Sequence, residues 1–200
     1  MRKILLLTVL VLLYANSFAQ VTFEPGYFID NTGKRVECLI RNPDRIANPV
    51  KFEYKESENA PVKTAEIESV SAFEILNTVH KYERHKVQME RSGKNINKLP
   101  TLDEIKFEEE ELFLRLIVEG KATLYAFYTQ EGIGRFFYKT DTAVIKPLIS
   151  YIYQNDEGEL KENNSFRQEL LTNLKSDVVS IATVSNLRYR ERELLGFFLK

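Results

Sequence analysis

The sequence predicts a mainly β (α+β) domain: an antiparallel sheet curled into a sandwich or partial barrel, with two C-terminal helices packed on it. Three observations carry this prediction. Thirteen Phe and ten Tyr stand without a single Trp, a composition that leans towards strands. Apolar and polar side chains alternate in short runs bounded by Gly, Asn and Pro, the mark of strands joined by turns. After Asp156 the chain changes character, and its apolar side chains recur at helical spacing. With 200 residues, 44% of them apolar and 28% charged, the chain can bury the core of one domain.

Residues 26–41 read as a hairpin. GYFID and KRVECLIR flank Asn31-Thr32-Gly33, a turn in which Gly33 can take positive φ. Asn42-Pro43-Asp44 ends the second strand, because proline cannot donate to a ladder. Val50, Phe52 and Tyr54 alternate with Lys51, Glu53 and Lys55, predicting a half-buried strand. Ser57 to Pro61 is a loop, after which Val62 to Ile67 returns as a strand. Ala72 to Leu76 and His80 to Met89 are weaker strand signals, and the second is polar enough to be expected at an edge or exposed on one face. Residues 91–111 mix Gly, Asn, Pro and charge, and predict a long loop with one helical turn near Leu102 to Ile105.

Leu112, Leu114, Leu116 and Val118 share one face of the next segment, while Phe113 and Ile117 share the other with Arg115. Both faces are largely apolar, which predicts a central strand. Glu119-Gly120-Lys121 then leads to Ala122–Tyr128, and Gln130 to Gly134 leads to Arg135–Lys139, completing a meander. Over 144–153 the spacing of Ile145, Leu148, Ile149 and Ile152 suits a helix, but Pro147 would break one and the tyrosines favour an edge strand. Strand is preferred. Ser165-x-x-Gln168 fits a capping box ahead of a helix over 166–175, whose stripe is Phe166, Leu170, Leu171 and Leu174. A second helix over Arg190 to Leu199 points Leu194, Leu195 and Phe198 towards the core.

The N-terminus supplies an address. Arg2 and Lys3 precede an uncharged run from Ile4 to Tyr14, and Ser17-Phe18-Ala19 places small residues ahead of Gln20. This is the pattern of a cleaved secretory signal peptide, too short for the roughly 20 residues a bilayer requires. The expected organisation is therefore a signal peptide over 1–19, a β domain over 20–156 and a helical segment over 157–200. No Cys stands directly after the cleavage point and Cys38 lies too deep to be an acylated first residue, so a lipoprotein is not expected, nor is a transmembrane helix in the mature chain. The expected location is exported, periplasmic or associated with the outer membrane.

Several strings together resemble one family: GYFIDNTGKRVECLI at 26–40, LFLRLIVEGKATLY at 112–125, RFFYKTD at 135–141 and NNSFRQELLTNLK at 163–175. They are similar to exported Bacteroidota proteins of uncharacterised function, many of which carry a comparable N-terminal domain ahead of an outer-membrane β-barrel. The resemblance covers most of the mature chain and rests on packing and turn patterns. It implies an envelope address, and either a short member or the periplasmic domain of a barrel protein, but no activity.

The chemistry is mostly exclusion. Lys+Arg at 28 against Asp+Glu at 29 leaves a net charge of −1, which speaks against nucleic acid as a partner. Two His and one Cys exclude an internal disulfide framework and argue against a Cys/His zinc site. Cys38, between Val36 and Ile40, reads as a small buried hydrophobe. His80 and His85 are spaced so that neither a strand nor a helix points both at one metal. Glu108 to Glu111 reads as a solvated acidic face. Glu74, Glu83, Glu90 and Asp103 are acids that no pattern pairs into a hydrolytic site. Gly134-Arg-Phe-Phe-Tyr-Lys139-Thr140 approaches a P-loop but lacks its second glycine. The aromatic stripes at 125–128 and 136–138 read as core, with a sugar- or lipid-binding platform as the alternative. No catalytic, cofactor-binding or metal-binding residue is assigned. The expectation is a non-enzymatic binding or scaffolding domain whose partner is an envelope protein, a glycan or a lipid; the alternative is an envelope-polymer hydrolase using carboxylates distant in sequence.

Overall fold

The computed structural model describes residues 22–43, 47–91, 99–141, 144–174 and 179–200; the signal-peptide segment lies outside them. Among the described residues the chain forms twelve strands: β1 (Phe23–Asp30), β2 (Arg35–Arg41), β3 (Lys51–Lys55), β4 (Lys63–Glu66), β5 (Val70–Ile75), β6 (Lys81–Glu90), β7 (Phe107–Val118), β8 (Ala122–Tyr128), β9 (Gly134–Thr140), β10 (Ile145–Leu148), β11 (Tyr151–Gln154) and β12 (Leu160–Asn163). Three short helices follow: α1 (Ser165–Asn173), α2 (Ile181–Ser185) and α3 (Glu191–Phe198). Ten strands make one antiparallel sheet in the order β10-β9-β8-β7-β6-β5-β1-β2-β3-β4, and β11 and β12 form a separate hairpin.

The first hairpin turns where the sequence predicts. Gly33 has φ +83°, and Asp30 Oδ1 accepts from the Thr32 and Lys34 amides at 2.8 and 3.0 Å. A second glycine is fixed by space: a Cβ on Gly26 would sit 2.4 Å from the Glu74 carbonyl on β5. Only a 3-10 turn, Ile67–Ser69, separates β4 from β5. These two strands are nevertheless at opposite ends of the run β5-β1-β2-β3-β4, so that end of the sheet must roll up. Inside this first roll lie Phe28, Cys38, Ile40, Phe52, Ala65, Val70, Phe73 and Ile75, joined by Tyr82 of β6 and Phe113 of β7.

The other end rolls the opposite way, bringing β10 close to β6. Its interior is Val87, Met89, Leu112, Leu114, Tyr125, Phe127 and Phe137. On the β6–β7 ladder Tyr82 pairs with Arg115 and Arg84 with Phe113, while Glu83 pairs with Leu114 and His85 with Leu112. Strand alternation therefore sends Tyr82 and Phe113 into one roll, and Leu112 and Leu114 into the other. The sheet is S-shaped, and neither roll closes into a barrel. The outer face of the second roll, with Leu124, Ala126, Phe136, Tyr138 and Leu148, is covered by Phe166, Leu170, Val184, Leu194 and Phe197 of the helices.

The fold class is as the sequence predicts, and the differences from it are local. β6 is central, with β5 on one side and β7 on the other, because its basic side chains meet the acidic start of β7. Lys86 lies 2.5 Å from Glu109, Arg91 2.6 Å from Glu110 and Arg84 3.7 Å from Glu111. The predicted long loop accordingly ends early, as Phe107–Glu111 is already strand; the turn at Leu102–Glu104 does form. Val50 is exposed, ahead of β3, leaving Phe52 as that strand's buried anchor. Residues 144–153 are strand, broken into β10 and β11.

The helical segment contains more than two helices: β12 opens it and α2 is inserted. The capping box at Ser165 does not form. Ser165 is the first helical residue, and its amide donates to Asn163 Oδ1 instead. In α3 the buried residues are Leu194 and Phe197, whereas Leu195 and Phe198, also expected to face the core, are only half-buried.

Candidate functional site

The acids singled out in the sequence are held by other elements, each in its own place. On β5, Glu74 accepts a 2.7 Å hydrogen bond from the Tyr27 hydroxyl of β1. Glu83 of β6 receives the Tyr125 hydroxyl on Oε2 at 2.7 Å, and His85 Nε2 lies 3.1 Å from the same oxygen. The His85 and Tyr125 rings meet edge to face at 5.0 Å. These hydrogen bonds hold the Glu83 carboxyl below the ordinary carboxylate range, the one to His85 most of all. Asp103 sits in the exposed 3-10 turn after Thr101. Glu83 and Glu90, an odd number of residues apart on β6, leave it on opposite faces. No two of these acids share a hydrogen-bond network among the described residues.

Glu90 is nearly buried, at 9% exposure, and accepts from Arg135 Nη2 of β9. The pair borders a pocket at the seam where β10 approaches β6. Met89, Phe136, Pro147 and Leu148 supply its apolar wall, with Tyr151 and Tyr189 beside them. Tyr189 is locked from both sides: its hydroxyl accepts from the Phe136 amide at 2.9 Å and donates to the Leu148 carbonyl at 2.6 Å. Burial pushes its phenol up to about 12. Arg135 Nε is different. Among the described residues it is the buried side-chain polar atom that has no hydrogen-bond partner.

Other sequence candidates are structural. Cys38 is buried and free, and burial pushes its thiol up to about 11, the opposite of what a nucleophile requires. His80 stacks beside Tyr82, its Nδ1 3.3 Å from that hydroxyl, and burial lowers its pKa. No cluster of three or more metal-ligating side chains occurs among the described residues. The aromatic stripes are core: Tyr125, Phe127, Phe136, Phe137 and Tyr138 are all buried, so they offer no exposed platform. The Gly134–Thr140 segment is β9, not a phosphate loop.

Sequence reading missed Asn48, Arg135 and Tyr189. Asn48 and its partners lie 65 to 80 residues apart, and no local spacing signals such a contact. No family model, no curated protein and no solved structure matches this chain.

Proposed function

We propose that this chain is a non-enzymatic, exported cell-envelope protein that acts by binding or scaffolding. One observation carries the reading furthest: large apolar side chains are exposed around the β11–β12 hairpin. Gln154 bridges Thr101 and pairs with Leu160. Leu102, Ile152 and Leu160 are thereby gathered near one another at 55%, 49% and 66% exposure. An apolar group displayed on a hairpin standing apart from the main sheet suits a protein partner. The signal-peptide pattern and the family resemblance support an envelope address for that partner, and with it the role of a periplasmic domain.

The test is capture of partners from solubilised envelopes, comparing the wild-type chain with an Ile152→Lys/Leu160→Lys variant. The expected result is an envelope protein retained by the wild type and lost from the variant. Equal retention by both would move the binding surface elsewhere, and no retention by either would sink the reading. A second reading, a hydrolase of envelope polymers, is favoured by the Glu83–His85 pair alone. In that case Glu83→Gln would abolish hydrolysis of such polymers while leaving the fold intact.

A further inference from the structure

We infer that the outer edge of β12 pairs with the same edge of a second copy of this chain, antiparallel about a two-fold axis at Leu160. The inference rests on the binding reading above and names one partner for the hairpin. Hydrogen bonding within the hairpin sets which backbone groups face outwards. The Asn155 amide donates to the Glu159 carbonyl and the Gln154 amide to the Pro100 carbonyl. Gln154 and Leu160 are therefore a non-hydrogen-bonded pair, and by alternation so are Ile152 and Glu162. The N–H and C=O groups of Leu160 and Glu162 point away from β11, and among the described residues no other strand pairs with β12. An open edge of this kind is a template for a further strand. The large sheet guards its own ends: β10 carries Pro147, and on β4 Lys63 and Glu66 are paired with Glu56 and Lys51. A hairpin of two strands is marginal by itself, whereas two hairpins joined edge to edge make a four-stranded sheet with an apolar face.

The side chains choose both the occupant and the register. With the axis at Leu160, that residue lies opposite its own copy, Lys161 opposite the partner's Glu159, and Glu162 opposite the partner's Gly158. Lys161 and the partner's Glu159 form a non-hydrogen-bonded pair, in which side chains approach most closely, and symmetry supplies the contact twice. The Lys161 and Glu159 side chains are 48% and 62% exposed, so both can reach across. An axis at Lys161 would set two lysines opposite each other and one at Glu162 two glutamates, and like charges so placed are destabilising. A foreign strand would need an acid and a base at this same spacing; β12 and the residue before it already carry them. On the other face Leu160, at 66% exposure, meets its copy, with Ile152 flanking on either side. One continuous apolar surface thereby replaces two small ones. Four residues a side make a small contact, so the dimer stands in equilibrium with monomer.

The experiment is sedimentation equilibrium of the full chain, purified after export, from micromolar to millimolar concentration. The expected result is a monomer–dimer equilibrium. Lys161→Glu sets like charges opposite one another and should weaken the dimer about tenfold, the factor that corresponds to about 1.4 kcal/mol. Glu159→Lys/Lys161→Glu exchanges the two signs and should restore it. Hydrogen exchange on the wild type gives a readout that needs no variant: the Leu160 amide exchanges freely in the dilute chain and slows as the dimer forms. The inference is overturned if the chain stays monomeric, if the double variant dimerises no better than Lys161→Glu, or if a dimer forms with the Leu160 amide unprotected. Glu159 and Lys161 lie on the face away from Ile152 and Leu160, so capture of an envelope protein tests the binding reading separately. A monomer that still captures its partner sinks the dimer alone.

Discussion

Asn48 does at the scale of one residue what a stretch of ladder would otherwise do. Its Nδ2 donates to the carbonyls of Phe113 and Ala126 at 2.8 and 3.0 Å, and its Oδ1 accepts from the Tyr128 amide at 3.0 Å. Its own amide donates to the Tyr128 carbonyl at 3.0 Å. One buried side chain, 4% exposed, thus satisfies β7 and β8 beyond the point where their register ends at Arg115 and Ala126. Asn48→Ala strands two carbonyls and one N–H in the interior and should cost about 2–4 kcal/mol, several hydrogen bonds' worth of desolvation. Asn48→Asp should be worse, since a carboxylate would face two carbonyl oxygens. Urea unfolding midpoints of the two variants check both statements. Nothing in the sequence around Asn48 separates it from an ordinary loop asparagine, because its partners are long-range.

At the scale of elements, tyrosine–glutamate hydrogen bonds recur as ties. Tyr27 joins Glu74 between β1 and β5, and Tyr125 joins Glu83 between β8 and β6. Tyr138 of β9 holds Glu169 of α1, while Tyr128 of β8 and Arg115 of β7 both reach Glu191 Oε2 of α3 at 2.6 Å. In each case burial, and then the carboxylate, raises the phenol pKa. For Tyr27 it reaches about 12, and Tyr125, Tyr128 and Tyr138 are pushed up as well. The folded state therefore keeps protons that the unfolded chain releases near pH 10. This contribution to stability is complete below about pH 10 and is lost as pH rises through the folded values. Stability should fall steeply between about pH 10 and 12, with the slope reduced in Tyr125→Phe and Tyr138→Phe; urea midpoints taken across that range read it directly. Helix α2 was not legible in the sequence, whereas α1 and α3 were, from Phe166, Leu170 and Leu194. Their carboxylate ties were not, since glutamates on a polar helix face look solvated until the sheet is placed beneath them.

At the scale of the whole molecule, β6 and β7 belong to both rolls. Tyr82 and Phe113 fill one core while Leu112 and Leu114 fill the other, so this part of the central pair is covered on both faces. Amide exchange should be slowest in β6 and β7 and fastest in the short outer strands β4 and β12. Phe113→Ala, at a fully buried position, should cost about 3–5 kcal/mol. It should also lower protection in β8 and β9 along with β1 and β5. Unchanged exchange in β8 and β9 would show the rolls to be independent units. The dual role of this strand was already visible in the apolar character of both faces of 112–118.

The sequence by itself determined the local conformations. Period-two alternation marked the strands, Gly33 placed the first turn, Pro147 kept 145–148 from being helix, and the Phe166–Leu174 stripe marked the first C-terminal helix. These are effects of neighbouring residues, so neighbouring residues reveal them. Only the tertiary structure decided that β6 is central despite its polarity, because Arg84 and Lys86, with Arg91 just after the strand, are matched by glutamates distant in sequence on β7. It alone bent the sheet into an S, set Asn48 between β7 and β8, and brought Arg135, Glu90 and Tyr189 around one pocket. Pairing across strands is chosen by burial and charge complementarity over the whole sheet, and that choice leaves no mark within a local window.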